Sequence, residues 1–224
     1  EDACPSRGRS VRHHFTYTEA QVGRFLHASA WLAKQRRGEL TVVWKESGLP
    51  SISKLWLACA EDAAAAHGVR LRMVDIDLMA YRLVKEACEF DVIAAPNLFG
   101  DVLADLGAIL IGSRGISYSG NYSGTGGAVY QTNHGAARDL AGTDHANPVG
   151  QILSLAMMLR ESFALDREAS SIEAAIQWAW KEGWRTQDVA VPGSRVVGTS
   201  EMGARVAEQA VAILETRLPA AAAE

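Results

Sequence analysis

Only three cysteines occur in the 224 residues, Cys4, Cys59 and Cys88, and none stands in a CxxC spacing. An odd, scattered set argues for reduced thiols and hence a cytoplasmic protein. No apolar run approaches the ~20 residues of a membrane-spanning helix, and the opening EDACPSRGRS has no signal-peptide core. Membrane partners are therefore not expected. An excess of basic residues is also missing: the net charge is −4, which argues against nucleic acid as the main partner. No tandem repeat is evident, and no initiator Met stands at the first position, so residue 1 is not expected to be the start of a translated frame. What remains is 48% hydrophobic and 21% charged, the balance of a globular chain long enough to bury a sizeable core.

Order along the chain follows from periodicity. Residues 1–16 are expected to form a flexible tail. Thr18 and Gln21 have capping-box spacing, and Val22, Phe25, Leu26 and Leu32 predict an apolar helical stripe that Gly38 ends. LTVVW (40–44) is an expected strand delivering Lys45. A helix over 52–67 is expected to pack through Leu55, Trp56 and Cys59 and to stop at Gly68. RLRMVDI (70–76) reads as a second strand, followed by a helix that opens at Asp77; Asp75 is a competitor for its role but lies inside the strand pattern. FDVIAA (90–95) is a third strand. Strand–helix alternation predicts a layered α/β sheet with crossovers. Residues 112–150, which hold nearly half of the glycines, read as loop. Helices are expected over 149–163, 166–182 and 200–217, with AAAAE frayed at the end. Trp178, Trp180 and Trp184 read as helix-face packing.

NLFGDVLAD (97–105) carries the chemistry. Asp101 and Asp105 are four apart in a helical segment just after a strand, so both share one face at the strand's carboxyl end. Asp77 arrives at a neighbouring strand end. Three carboxylates suit a hard dication, Mg²⁺ or Mn²⁺, better than zinc.

NLFGDVLAD followed by GSRGI (112–116) is similar to the signature of the β-decarboxylating dehydrogenases, the isopropylmalate, isocitrate, homoisocitrate and tartrate dehydrogenase type. HGAARDLAGTDHANP (134–148) resembles their adenosine-binding loop, and ILSLAMMLRESF and VVGTSEMG (196–203) resemble later segments. The resemblance implies an α/β fold of layered α/β/α, isopropylmalate-dehydrogenase-like type, N-terminally truncated. It implies a middle dimerisation and metal-site segment (17–111) and the C-terminal half of a dinucleotide-binding domain (112–224). It also implies a homodimer in which Lys45 and Asp77 reach the neighbouring subunit's site. Lys45 matches the proton-transfer lysine; Asp77, Asp101 and Asp105 match the metal ligands, Asp77 counting with Lys45 in catalysis. His134, Asp139 and Asn147 match the NAD contacts, Asp139 favouring NAD over NADP.

Departures from the family pattern fall near the chemistry. Trp44 and Ser47 flank Lys45 where the family has Asp and Asn, and Gln131–Thr132 replaces Glu–Pro. Arg138 stands for a proline and Ala104 for a small polar residue. The family's N-terminal strands, nicotinamide contacts, substrate-gripping arginines and catalytic tyrosine have no counterpart, and Tyr17 aligns with a helix-entry tyrosine. Ile109, Leu110, Ile152, Leu155 and Met158 are expected to line the seam so uncovered. A second subunit or a separate N-terminal partner chain would cover it. The leading expectation is therefore a small-molecule enzyme turned to non-redox chemistry (cyclase, isomerase or lyase type, in secondary metabolism). The alternative is Mg²⁺- and NAD-dependent oxidative decarboxylation of a 2-hydroxy acid, and a third reading is a non-catalytic binding subunit.

Overall fold

The computed structural model describes residue 11 and residues 13–216. Most of the tail expected over 1–16, together with Cys4 and the AAAAE end, lies outside the described residues. The chain divides into two compact units, Glu1–Val102 and Leu103–Glu224, so the division falls inside a helix.

The first unit runs α1 (Glu19–Lys34), β1 (Glu39–Trp44), α2 (Pro50–His67), β2 (Arg70–Asp75), α3 (Ile76–Glu86), β3 (Val92–Ala94) and the first turns of α4 (Asn97–Leu110). Its sheet is parallel with β1 central, in the order β2-β1-β3. All four residues from Leu40 to Val43 are buried, as a central parallel strand covered on both faces requires. Leu40 and Val42 join α1 and α2 in one core. The other face meets α3, which contacts β1 and β2 and buries Met79 and Leu83. This is the layered α/β/α arrangement.

Local signals explain the ends. Thr18 caps α1: its Oγ1 accepts from Gln21 N at 3.3 Å while Gln21 Oε1 accepts from Thr18 N at 3.2 Å. Gly68 ends α2 at φ +69, donating to Ala64 O. The expected stripe on α1 is half right. Val22 and Leu26 are buried, but Phe25 and Leu32 are 42% and 45% exposed. Ala30 and Ala33 take the inward positions, because small residues let α1 lie close against Ala60 and Ala63 of α2. Likewise α1 stops at Lys34, and Gly38 serves the turn into β1 with φ +76.

Asp91 ties that turn to β3. Its fully buried carboxylate accepts from Arg36 Nε (2.9 Å) and Arg37 N (2.8 Å). Burial opposes its ionisation, but Arg36 and the amides of Glu39 and Arg37 outweigh it and hold the carboxyl below its usual range. A group with a depressed folded pKa contributes stability that is present above its unfolded value of ~3.9 and lost as pH falls through the folded value. Asp91→Ala is expected to cost about 1–3 kcal/mol, since it removes hydrogen bonds made to a charged group. The wild-type–variant difference in urea midpoint should shrink in acid below about pH 4.

In the second unit α4 is followed by a hairpin, β4 (Tyr118–Tyr122) and β5 (Ala128–Thr132), then α5 (Val149–Phe163), α6 (Asp166–Lys181), the short parallel pair β6 (Trp184–Arg185) and β7 (Arg195–Val196), and α7 (Thr199–Thr216). The hairpin corrects the loop expected throughout 112–150. Gly and Ser mask its alternation, and none of its strand residues is fully buried, so the apolar signal is weak. Gly120 lets β4 approach α5: a Cβ there would stand 3.0 Å from Met157 Sδ. Helices α5, α6 and α7 share a core containing Val149, Ile176, Met202 and Val206. Trp178, Trp180 and Trp184 pack on that core, and the Arg205 guanidinium sits 3.5 Å above the Trp184 ring. Of the expected seam residues, Ile109, Leu110 and Leu155 are exposed, and Ile152 and Met158 are half-buried. Among the described residues no helix is long and apolar enough to cross a membrane.

Candidate functional site

Parallel strands deliver Lys45 and two aspartates to one end of the first unit's sheet. Lys45 follows β1, Asp75 ends β2, and Asp77 sits in the first turn of α3. Lys45 Nζ donates to Asp77 Oδ1 at 3.0 Å and to Asp75 Oδ2 at 3.4 Å. The hydrogen bond it donates to Asp77 raises the lysine pKa against a smaller desolvation effect. The same bond, with the amides of Asp77 and Leu78, holds Asp77 below the usual carboxylate range. The pair therefore rests as ammonium and carboxylate. Asp75, set aside in the sequence as a strand residue, belongs to this group. Its place at the end of β2, in register with Trp44, is the signal that identifies it.

Asp101 and Asp105 lie one turn apart on α4. Asp101 is exposed, whereas Asp105 pairs with Arg114 Nε of the GSRGI segment at 3.1 Å. Among the described residues no three His, Cys, Asp or Glu side chains converge as a metal group. The single chain thus brings Asp101 and Asp105 onto one helix and leaves Asp77 with Lys45. The donors are oxygens throughout, a set that fits Mg²⁺ or Mn²⁺.

In the second unit the segment 134–148 folds over a short 3₁₀ turn, Arg138–Leu140, which carries the exposed Asp139. His134 Nδ1 lies 2.9 Å from Gly135 O. Beside it is an open hollow of about 330 Å³ with an almost wholly apolar lining that includes His134, Ala136, Ala137, Leu140, Ala141 and Ala146. Such a surface fits the face of a purine. Asn147 Nδ2 donates to Asp188 Oδ2 (3.1 Å), and its Oδ1 accepts from Val149 N (3.0 Å), fixing the start of α5.

Two aspartates missed in the sequence hold this region. Asp188 accepts from Asn147, Thr186 Oγ1 (2.6 Å) and Ser113. Burial pushes its pKa up, but those bonds from Ser113, Thr186 and Asn147 outweigh it and hold the carboxyl low. Asp144, at φ +59, accepts from Ser200 N (2.8 Å) and Ser200 Oγ (2.7 Å) and so caps α7, while Thr199 Oγ1 reaches Ala146 O at 2.5 Å. The VVGTSEMG segment thereby pins the 134–148 loop. Gly198 has to be glycine here, because any Cβ would run into Asp144. Asp144→Ala is expected to speed amide exchange at Ser200 roughly tenfold, the loss of one cap. Exchange in α1 should be unchanged, since α1 lies in the other unit.

Comparisons with known proteins agree with these motifs. The family model for isocitrate/isopropylmalate dehydrogenase matches residues 3–206. The 3-isopropylmalate dehydrogenase of Moorella thermoacetica is 42% identical over 188 residues, which cover 84% of this chain and 52% of the relative. That of Desulfitobacterium hafniense is 41% identical over 196 residues, 87% of this chain and 55% of the relative. Among solved structures, isocitrate dehydrogenase from Methylococcus capsulatus superposes with a TM-score of 0.81 at 31% identity, covering 87% of this chain and 57% of that one. A β-decarboxylating dehydrogenase from Thermococcus kodakarensis gives 0.77 at 34% identity, covering 96% and 60%. The chain belongs to the isocitrate/isopropylmalate dehydrogenase family. It spans about half the length of the curated relatives it matches.

Proposed function

We propose that this chain supplies the proton-transfer, metal-binding and adenosine-binding half of a β-decarboxylating dehydrogenase acting on a 2-hydroxy acid with NAD. The observation that carries this reading is the Lys45–Asp77 pair at 3.0 Å. Both partners of the family's shared proton-and-metal site are kept with their charges, in a chain about 40% identical to 3-isopropylmalate dehydrogenases. Asp101 and Asp105 would hold Mg²⁺ or Mn²⁺, with Asp77 arriving from the neighbouring subunit of a homodimer. When bound, the ion supplies Lewis acidity to the substrate's oxygen. Lys45 Nζ, an ammonium in the resting pair, would donate its proton toward the substrate and take one back only in its neutral form. The nicotinamide and substrate-carboxylate contacts belong to residues beyond those matched, on an N-terminal segment or separate partner chain.

His134 and the alanine-lined hollow would take the adenine face, and Asp139 would accept from the ribose hydroxyls and repel a 2′-phosphate. Asp139→Ala is expected to shift the NAD-to-NADP affinity ratio roughly tenfold toward NADP, measured by titration of both nucleotides.

A non-redox reaction on the same scaffold is the second reading. Trp44 favours it: with Lys45 it lines a small apolar cavity of about 50 Å³ at a position where the family has a carboxylate. The two readings separate in one experiment. The protein, completed by the N-terminal segment or partner chain that carries the nicotinamide and substrate-carboxylate contacts, is offered malate-, tartrate-, isopropylmalate- and isocitrate-type substrates with Mg²⁺ and NAD, and NADH absorbance is followed. NADH formation supports the dehydrogenase. NAD binding with a flat trace across the panel favours the second reading, and absence of NAD binding removes the cofactor assignment.

A further inference from the structure

Away from the sheet end that carries Lys45, α1 and α2 bring two imidazoles together. We infer that His27 and His67, with Asp62 orienting the first, form a surface site for a divalent transition ion of the zinc class. His27 Nδ1 and His67 Nε2 stand 3.3 Å apart. Two nitrogens bound at about 2.0–2.1 Å to a tetrahedral ion are separated by roughly 3.3–3.4 Å, so the spacing of the two nitrogens matches that of a chelate, the ion replacing the contact between them.

The other nitrogen of His27 strengthens the case. Nε2 lies 3.0 Å from Asp62 Oδ2, which places the proton on Nε2 and leaves the Nδ1 lone pair facing His67. A carboxylate behind a ligating histidine is the usual device for fixing its tautomer and raising its basicity. The His27 side chain is 40% exposed and Asp62 77%, and an open groove bordered by Thr18, Gly23, Arg24 and Cys59 runs past both. His67 is half-buried at the end of α2, so both rings have an edge open to solvent, and solvent or an outside donor completes the ion's shell. Two protein nitrogens make an exchangeable site, weaker than a closed four-ligand one.

The chemistry separates this site from the oxygen donors on α4. Imidazole selects zinc, nickel or copper, whereas Asp101 and Asp105 select a hard dication. Joining α1 to the last turn of α2, the ion would clamp two helices that cover one face of the sheet. The proposal stands independently of the dehydrogenase reading.

The test is calorimetric titration of the full chain with Zn²⁺, with Mg²⁺ in excess to occupy oxygen sites. Wild-type protein should bind one equivalent that the double variant His27→Gln/His67→Gln loses, at least a hundredfold. Asp62→Asn should weaken it roughly 10–100-fold. Cys88→Ser, His13→Gln/His14→Gln and Asp101→Asn should leave it unchanged. Far-ultraviolet dichroism of the double variant without zinc should match wild type, and His67→Gln alone repeats the test with a smaller perturbation. Zinc affinity unaltered in the double and single histidine variants, or abolished by Cys88→Ser or the His13/His14 pair, would overturn the site.

Discussion

Gly150→Ala is expected to lower the unfolding free energy of the second unit by about 3 kcal/mol, the upper part of the range for overpacking. Gly150 is the second residue of α5 and is buried. A Cβ there would stand 2.7 Å from Ser117 O and 2.8 Å from Gly115 O. Both obstacles are backbone carbonyls of the segment that leads from α4 into the hairpin, so no side-chain rotation can relieve the clash. Either α5 must withdraw or that segment must move, and the first choice opens the core around Val149, Ile176 and Met202. Gly203 is the contrast. It lies within α7, where an added Cβ would meet nothing within 4 Å, and Gly203→Ala should stabilise by about 0.5–1 kcal/mol. Urea denaturation of the two variants side by side decides the matter: equal effects of the same sign would contradict the packing described for α5.

Lys45→Met should lower turnover 10²- to 10⁴-fold while leaving the fold and nucleotide binding intact. Methionine keeps the length and apolar stem of the side chain but removes the proton and charge. The lysine's neighbours in the first unit, Asp75 and Asp77, are then left without their cation. Asp77 is exposed and Asp75 only half-buried, so stability should change little. Mixed with Asp101→Asn chains, Lys45→Met chains should regain activity in the fraction of dimers that contain one unaltered composite site. That rescue is a property only of a site shared between subunits. Equal loss in the mixture and in each variant alone would place the lysine and the α4 carboxylate in the same subunit's site.

How much of this was legible in the sequence depended on where the signal lay. The capping box at Thr18, the Gly68 stop and the short β-branched strands all declared themselves, because each rests on local backbone chemistry. The places of Lys45 and Asp77 were readable because a strand's end positions the few residues that follow it. Asp75 was not, since its membership depends on the register of β2 against β1, which a single sequence does not reveal. The inward stripe of α1 was misread because alanines, not the bulky residues, face α2. The β4–β5 hairpin escaped because glycine and serine at half-buried strand positions look like loop. Asp188 and Asp144 were hidden for a different reason. Their partners, Ser113, Asn147 and Ser200, are 41 to 75 residues away, and only tertiary structure brings such groups together. Sequence similarity marked out the 134–148 loop, but not what holds it in place.

The central claim, that the α4 carboxylates and Asp77 still form a divalent-ion site, is tested most directly by calorimetric titration of Mn²⁺ into the native protein and its variants. Asp101→Asn and Asp77→Asn should each weaken Mn²⁺ at least tenfold, although the two residues sit on different helices. Isotherms that coincide with wild type for both variants would contradict the assignment and leave the family relationship standing without its chemistry.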